Sequence, residues 1–156
     1  MHQTVDRIRA LLDDRGISYK YMEHDSGVTS EDMVRIRKDY SLSEGAKALI
    51  LKTDGGFVQV VVPGDKKFQN KKLRSAAGVR QVRFATPDEL ATITDGILPG
   101  AVPPFGNLFD LPVYADTTLF TNNRIVFNCG DRCASIAMSP EDYRSVVRPT
   151  VVDLSG

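Results

Sequence analysis

The segment Gly96-Ile97-Leu98-Pro99-Gly100-Ala101-Val102-Pro103-Pro104-Phe105-Gly106 holds three glycines and three prolines in eleven residues. Proline removes a backbone donor and fixes φ, and glycine is costly to order inside a helix or strand. No helix interior or central strand tolerates that density, so the segment predicts a structured loop. The prolines lower the entropy cost of ordering it. The glycines let the backbone approach a ligand closely and donate N–H groups to it. A rigid surface turn is the simpler use of such a run, but a loop this long and stiff is often functional.

Regular elements must therefore lie on either side. Thr4 predicts the N-cap of a first helix carrying Val5, Ile8, Leu11 and Leu12 at helical spacing, with Gly16 as its stop. Ile17–Met22 alternates as a strand does. Thr29-Ser30-Glu31-Asp32 opens a second helix with a capping-box pattern. The apolar run Ala46–Lys52 and the β-branched run Phe57–Val62 flank Asp54-Gly55-Gly56, a hairpin-type turn. Asn70 predicts the cap of a helix over Lys71–Ala77 that Gly78 ends. Gln81–Phe84 reads as a strand, and Thr86-Pro87 starts a helix through Ile93. Beyond the loop, Val113–Asp116, Arg124–Cys129 and Cys133–Met138 read as strands. Ser139-Pro140 opens a last helix through Val147, and Val151–Leu154 closes as a strand. Hairpins and crossovers interleave irregularly. The expected fold is one α/β domain over residues 1–156, with a mixed central β-sheet and surrounding helices.

Apolar residues make up 42% of the chain and charged residues 26%, which excludes a disordered polyelectrolyte. No apolar run approaches the roughly 20 residues of a membrane span. The opening MHQTVDRIRALLDD lacks an apolar signal core, so a cytoplasmic protein without membrane contact is expected. The net charge is zero but unevenly spread: residues 64–83 carry seven Lys or Arg against one Asp. That stripe, with Lys66, Lys67, Lys71, Lys72 and Arg74, suits a phosphate backbone or a plain solvated face. Cys129 and Cys133 are expected as reduced thiols. His2 and His24 lie too far off in sequence to complete a zinc set, so no metal or cofactor is expected.

Lys47 interrupts the apolar run Ala46–Leu51. Two readings stand for it: an edge lysine whose head reaches water, or an ammonium aimed into a pocket to stabilise an anion. Cys129 reads as a small core thiol and His24 as a structural loop anchor. Nucleophile elbows, Walker loops, dinucleotide fingerprints and H-E-x-x-H are absent.

Several stretches together resemble the YbaK/prolyl-tRNA-synthetase-associated domain family, relatives of the editing domain inserted in bacterial prolyl-tRNA synthetase. They are Gly45–Leu49, Val62–Lys67, Phe84–Leu90, Gly96–Gly106, Leu111–Asp116 and Phe127–Gly130 with Ser135-Ile136, in the family's order. The resemblance implies a mixed-sheet, metal-free deacylase that hydrolyses mischarged aminoacyl-tRNA in trans. By position, Lys47 matches the family's functional lysine, and Gly100 matches the backbone donor of the substrate loop. Gly96, Pro99, Ala101, Phe105 and Gly106 of that loop would contact substrate. So would Ala48, and Asn128, Gly130 and Ser135 of the hairpin that selects the amino acid. The basic stripe would meet the acceptor end of the tRNA, and an aminoacyl-tRNA synthetase is a further partner.

Some alanine-specific members of the family carry a Lys-Asn pair where this chain has Lys47-Ala48. A pocket lined by Ala48 and Ser135 suits Ala, Ser, Thr or Cys. Small pockets discriminate weakly, at about 1–3 kcal/mol per methylene. Two other readings use the same fold: a non-catalytic module that binds aminoacyl-tRNA or a synthetase, and a hydrolase of other small activated esters.

Overall fold

A computed structural model describes all 156 residues. Eight strands form two sheets. β2 (Ala46–Thr53) and β3 (Gly56–Pro63) make the predicted hairpin around Asp54-Gly55, with Thr53 opposite Gly56. β4 (Val82–Phe84) pairs antiparallel with β2. β5 (Val113–Asp116) runs parallel to β3, and β8 (Thr150–Val152) parallel to β5. The resulting order β4-β2-β3-β5-β8 is the expected mixed sheet. A second sheet, not foreseen, is antiparallel. β1 (Tyr19–Glu23), β7 (Ala134–Met138) and β6 (Ile125–Asp131) lie in the order β1-β7-β6. A single parallel bridge from Gly45 to Val126 joins the two sheets.

Helix α1 (Gln3–Asp14) covers the three-stranded sheet with Val5, Ile8 and Leu12. Its cap is His2, not Thr4: the His2 Nδ1 accepts from the Thr4 N–H at 3.1 Å. Thr4 lies inside the first turn, where its methyl face meets Gly130 closely enough that a Cβ there would stand 3.0 Å from Thr4 Cβ. The hydroxyl is buried without a partner. Helix α2 (Ser30–Arg37) keeps its predicted capping box: Thr29 Oγ1 accepts from the Asp32 N–H, and the Thr29 N–H donates to the Asp32 carboxylate. Helix α3 (Asn70–Ala77) starts one residue earlier than expected. Gln69 occupies the cap, and the Asn70 amide donates to the Val82 carbonyl, tying α3 to β4. Helices α4 (Pro87–Thr94) and α5 (Pro140–Val147) begin as predicted, on Thr86 and Ser139 caps followed by proline.

The principal core fills the space between α1, the three-stranded sheet, β5 and α5. Phe105, Phe127 and Tyr143 sit at its centre, with ring centroids 5.5 and 5.7 Å from Phe105. Leu51, Val60, Val62, Leu73 and Leu154 form a smaller core under α3. No helix is long and apolar enough to cross a membrane.

Candidate active site

A cavity of about 340 Å³ opens where the two sheets meet. Helix α2 and the residues flanking it form one wall, the start of β2 a second, and the Gly100 turn with β6 a third. Lys47 and Ala48 lie at the start of β2, and the Lys47 backbone pairs with Val62 of β3 near the open end of the hairpin. The Lys47 side chain is half-buried on the cavity wall. None of the chain's ion pairs includes it; those use Arg35, Lys72, Arg83 and Arg124. An unpaired ammonium on a concave wall is available to a ligand anion.

Gly100 faces Lys47's strand from the loop. Its φ of +86° lies in the left-handed region, and a Cβ would stand 3.1 Å from the Val28 carbonyl oxygen. Only glycine fits that place without strain. The Gly100 carbonyl accepts from Asn128 Nδ2 at 2.8 Å, while its N–H has no backbone acceptor. Asn128 is itself on the cavity wall.

The structure thus brings Lys47, Ala48, Gly100 and Asn128 to one cavity. The other candidates do not line it: Gly96 and Pro99 are exposed outside it, and the rest are buried. Gly96 ends α4 in a left-handed turn, with its N–H on the Ala91 carbonyl. The Pro99 carbonyl accepts two bonds from the Arg132 guanidinium, at 2.9 and 2.6 Å. Ala101 and Phe105 are buried in apolar clusters. Gly106 donates to Gln59 Oε1 at 2.8 Å. The Gly130 N–H donates to the Ala101 carbonyl beneath α1. Ser135 is fully buried.

Arg37 is the wall residue that the sequence reading passed over. Its Nε donates to Ser135 Oγ and its Nη2 to Asn128 Oδ1, both at 3.0 Å. Burial pulls its pKa down to about 10, so the guanidinium remains charged at neutral pH. The signal is non-local: α2 meets β6 and β7 only through sequence separations of 91 and 98 residues. Cys129 is buried, and burial pushes its thiol up to about 12, which removes it as a nucleophile at neutral pH. No three His, Cys, Asp or Glu side chains converge anywhere in the chain.

The basic stripe begins just past the cavity. Gly64 lines the wall, and Lys66, Lys67, Lys71 and Arg74 follow, exposed. Lys72 is engaged elsewhere. It clamps the Asp153 carboxylate at 2.9 and 3.0 Å and the Ser155 carbonyl at 2.6 Å, pinning the C-terminal strand beside α3.

A profile of the aminoacyl-tRNA editing domain matches residues 24–146, a span that includes every wall residue named above. The chain belongs to the aminoacyl-tRNA editing domain family. Within that family it is 31% identical over 148 residues to the prolyl-tRNA editing protein ProX of Acetoanaerobium sticklandii, covering 89% of this chain and 87% of that one. It is also 34% identical over 90 residues to the proline–tRNA ligase of Staphylococcus epidermidis. That match takes in 58% of this chain but only 16% of the ligase's length. A solved structure described as a candidate trans-editing enzyme for prolyl-tRNA synthetase superposes with a TM-score of 0.86, covering 100% of this chain and 99% of its own. At 23% identity that likeness concerns the fold of the editing domain.

Proposed function

We propose that this editing domain hydrolyses the ester between a small amino acid (Ala, Ser, Thr or Cys) and the 3′-terminal ribose of a tRNA, acting in trans. The observation that carries this reading is the pairing, across one cavity, of a free Lys47 ammonium with a Gly100 N–H that has no backbone acceptor. An ester carbonyl seated between them develops its oxyanion against two donors. One such donor is worth roughly 10²–10³ in kcat in comparable sites. Water adds to the carbonyl carbon, and the bond to the ribose oxygen breaks. The departing ribose oxygen takes up a proton, leaving a free amino acid and a free tRNA end.

The cavity holds no histidine, and its one carboxylate, Glu31, is exposed. An aminoacyl ester is already activated, and the vicinal hydroxyl of the tRNA's terminal ribose lies close enough to its own ester to orient the water. The exposed Lys66, Lys67, Lys71 and Arg74 carry the acceptor end toward the cavity. The name of the ProX relative, a prolyl-tRNA editing protein, supports a tRNA of the proline system. The test is deacylation of tRNA charged with Ala, Ser, Thr, Cys or Pro. Turnover of one or more misacylated esters supports the reading, and binding of aminoacyl-tRNA without turnover favours a recognition module.

A further inference from the structure

Arg37 ends α2 with its guanidinium turned inward, although a side chain at a helix end is free to reach water. Its two protein acceptors, Ser135 Oγ and Asn128 Oδ1, are neutral, and both residues are buried. Ser135 is fixed from behind by His24, whose Nε2 lies 2.7 Å from the hydroxyl oxygen. Asn128 is fixed by its bond to the Gly100 carbonyl. The guanidinium is therefore locked in orientation. It has five N–H groups, and two are used. The rest have no protein acceptor, and no carboxylate forms an ion pair with it.

A charge held in this way favours a ligand oxygen that approaches it. Its depth limits which part of a substrate can be that oxygen. Glu31 and Ser41 are exposed at the outer part of the same cavity, whereas Arg37 sits beside buried Asn128 and Ser135. A phosphodiester is bulky and hydrated and suits the outer rim, next to the exposed lysines. The amino-acid side chain is the substrate part small enough to reach the inner wall.

Resting on the deacylase reading, the geometry points to Arg37 as the residue that reads the amino-acid side chain, donating to a hydroxyl or carboxylate oxygen on it. A site built around such a donor disfavours a side chain that leaves the donor unpaired. An alanyl ester offers no acceptor, and a cysteinyl thiol offers a weak one.

The experiment measures kcat/KM for one tRNA charged with Ser, Asp or Ala, using wild type and Arg37→Met, with a thermal melt of each protein. Wild type turns over a seryl or aspartyl ester faster than the alanyl ester. Arg37→Met lowers that oxygen-to-alanyl ratio roughly 10–100-fold, the worth of a hydrogen bond to a charged group. Preference for Ser identifies a hydroxyl reader, and preference for Asp a carboxylate reader. A wild type that prefers the alanyl ester overturns the inference. So does an Arg37→Met protein that loses all esters in equal proportion, because Arg37 would then only position the wall. If Arg37→Met does not fold, the wild-type ranking and Arg37→Lys, which keeps the charge but loses the fork, decide the same question. Absence of turnover of every ester by wild type is the separate failure of the deacylase reading itself.

Discussion

The two halves of the Gly96–Gly106 segment have opposite environments. From Ala101 to Gly106 every residue is buried. The Pro103 carbonyl accepts from Gln59 Nε2, the Pro104 carbonyl accepts from the Tyr143 hydroxyl, and Gly106 donates to Gln59 Oε1. From Gly96 to Gly100 only Ile97 is buried. The first half presents one left-handed glycine to the cavity, and the second ties it to the core. A backbone donor useful to a reaction must be fixed before substrate arrives, because ordering it later would subtract from rate. The anchored half supplies that rigidity and itself adds Val102 to the cavity wall beside Gly100.

Gly100→Ala breaks the presented half with the largest expected effect. A Cβ there meets the Val28 carbonyl oxygen, and φ is unfavourable. Activity should fall roughly 100-fold while stability falls only about 1–2 kcal/mol, read from initial rates and urea melts. The anchored half should respond the other way round. Gln59→Ala leaves a buried N–H and a buried carbonyl unpaired, so unfolding free energy should drop about 3 kcal/mol. A Gln59→Ala protein of wild-type stability would break the contrast between the two halves.

Replacing Lys66, Lys67, Lys71 and Arg74 by alanine should flatten the salt dependence of tRNA binding by roughly 0.7–0.9 in log–log slope for each phosphate that is no longer neutralised. Lys72→Ala should instead loosen the Asp153 clamp and lower stability slightly. The smallest effect concerns the two thiols. Cys133 should react with a thiol reagent in the folded protein at neutral pH, and Cys129 only on unfolding. The folded Cys129 holds its proton up to about pH 12, whereas the unfolded thiol releases it near its ordinary value of 9.0. The unfolded chain then binds fewer protons. This contribution to stability is full below about pH 9 and is lost as pH rises toward 12.

Local chemistry was legible in the sequence wherever it was contiguous. The Thr29 capping box, the Thr86 cap before proline, the Asp54-Gly55 hairpin and the Gly78 stop lie where their residue types dictate. Only the cap of the first helix was misread, because His2 competes with Thr4 for it, and burial of Thr4 against Gly130 is a tertiary fact. The division into two sheets was hidden, since alternation within a strand does not say which neighbour it pairs with. The site followed the same rule. Lys47 stood out against an apolar background. Arg37 sat at the end of an ordinary amphipathic helix, and its meaning arises only where β6 and β7 arrive. Holding its charge there costs roughly 3 kcal/mol, which fits a wall arranged for a ligand rather than for stability.

The most direct test of the central claim is deacylation of the aminoacyl-tRNA panel by wild type beside Lys47→Ala, with both melts recorded. The account predicts lysine-dependent release of one or more small amino acids, at least 100-fold slower in Lys47→Ala, with an unchanged melting temperature. Equal rates in the two proteins, or no turnover by wild type, would contradict it.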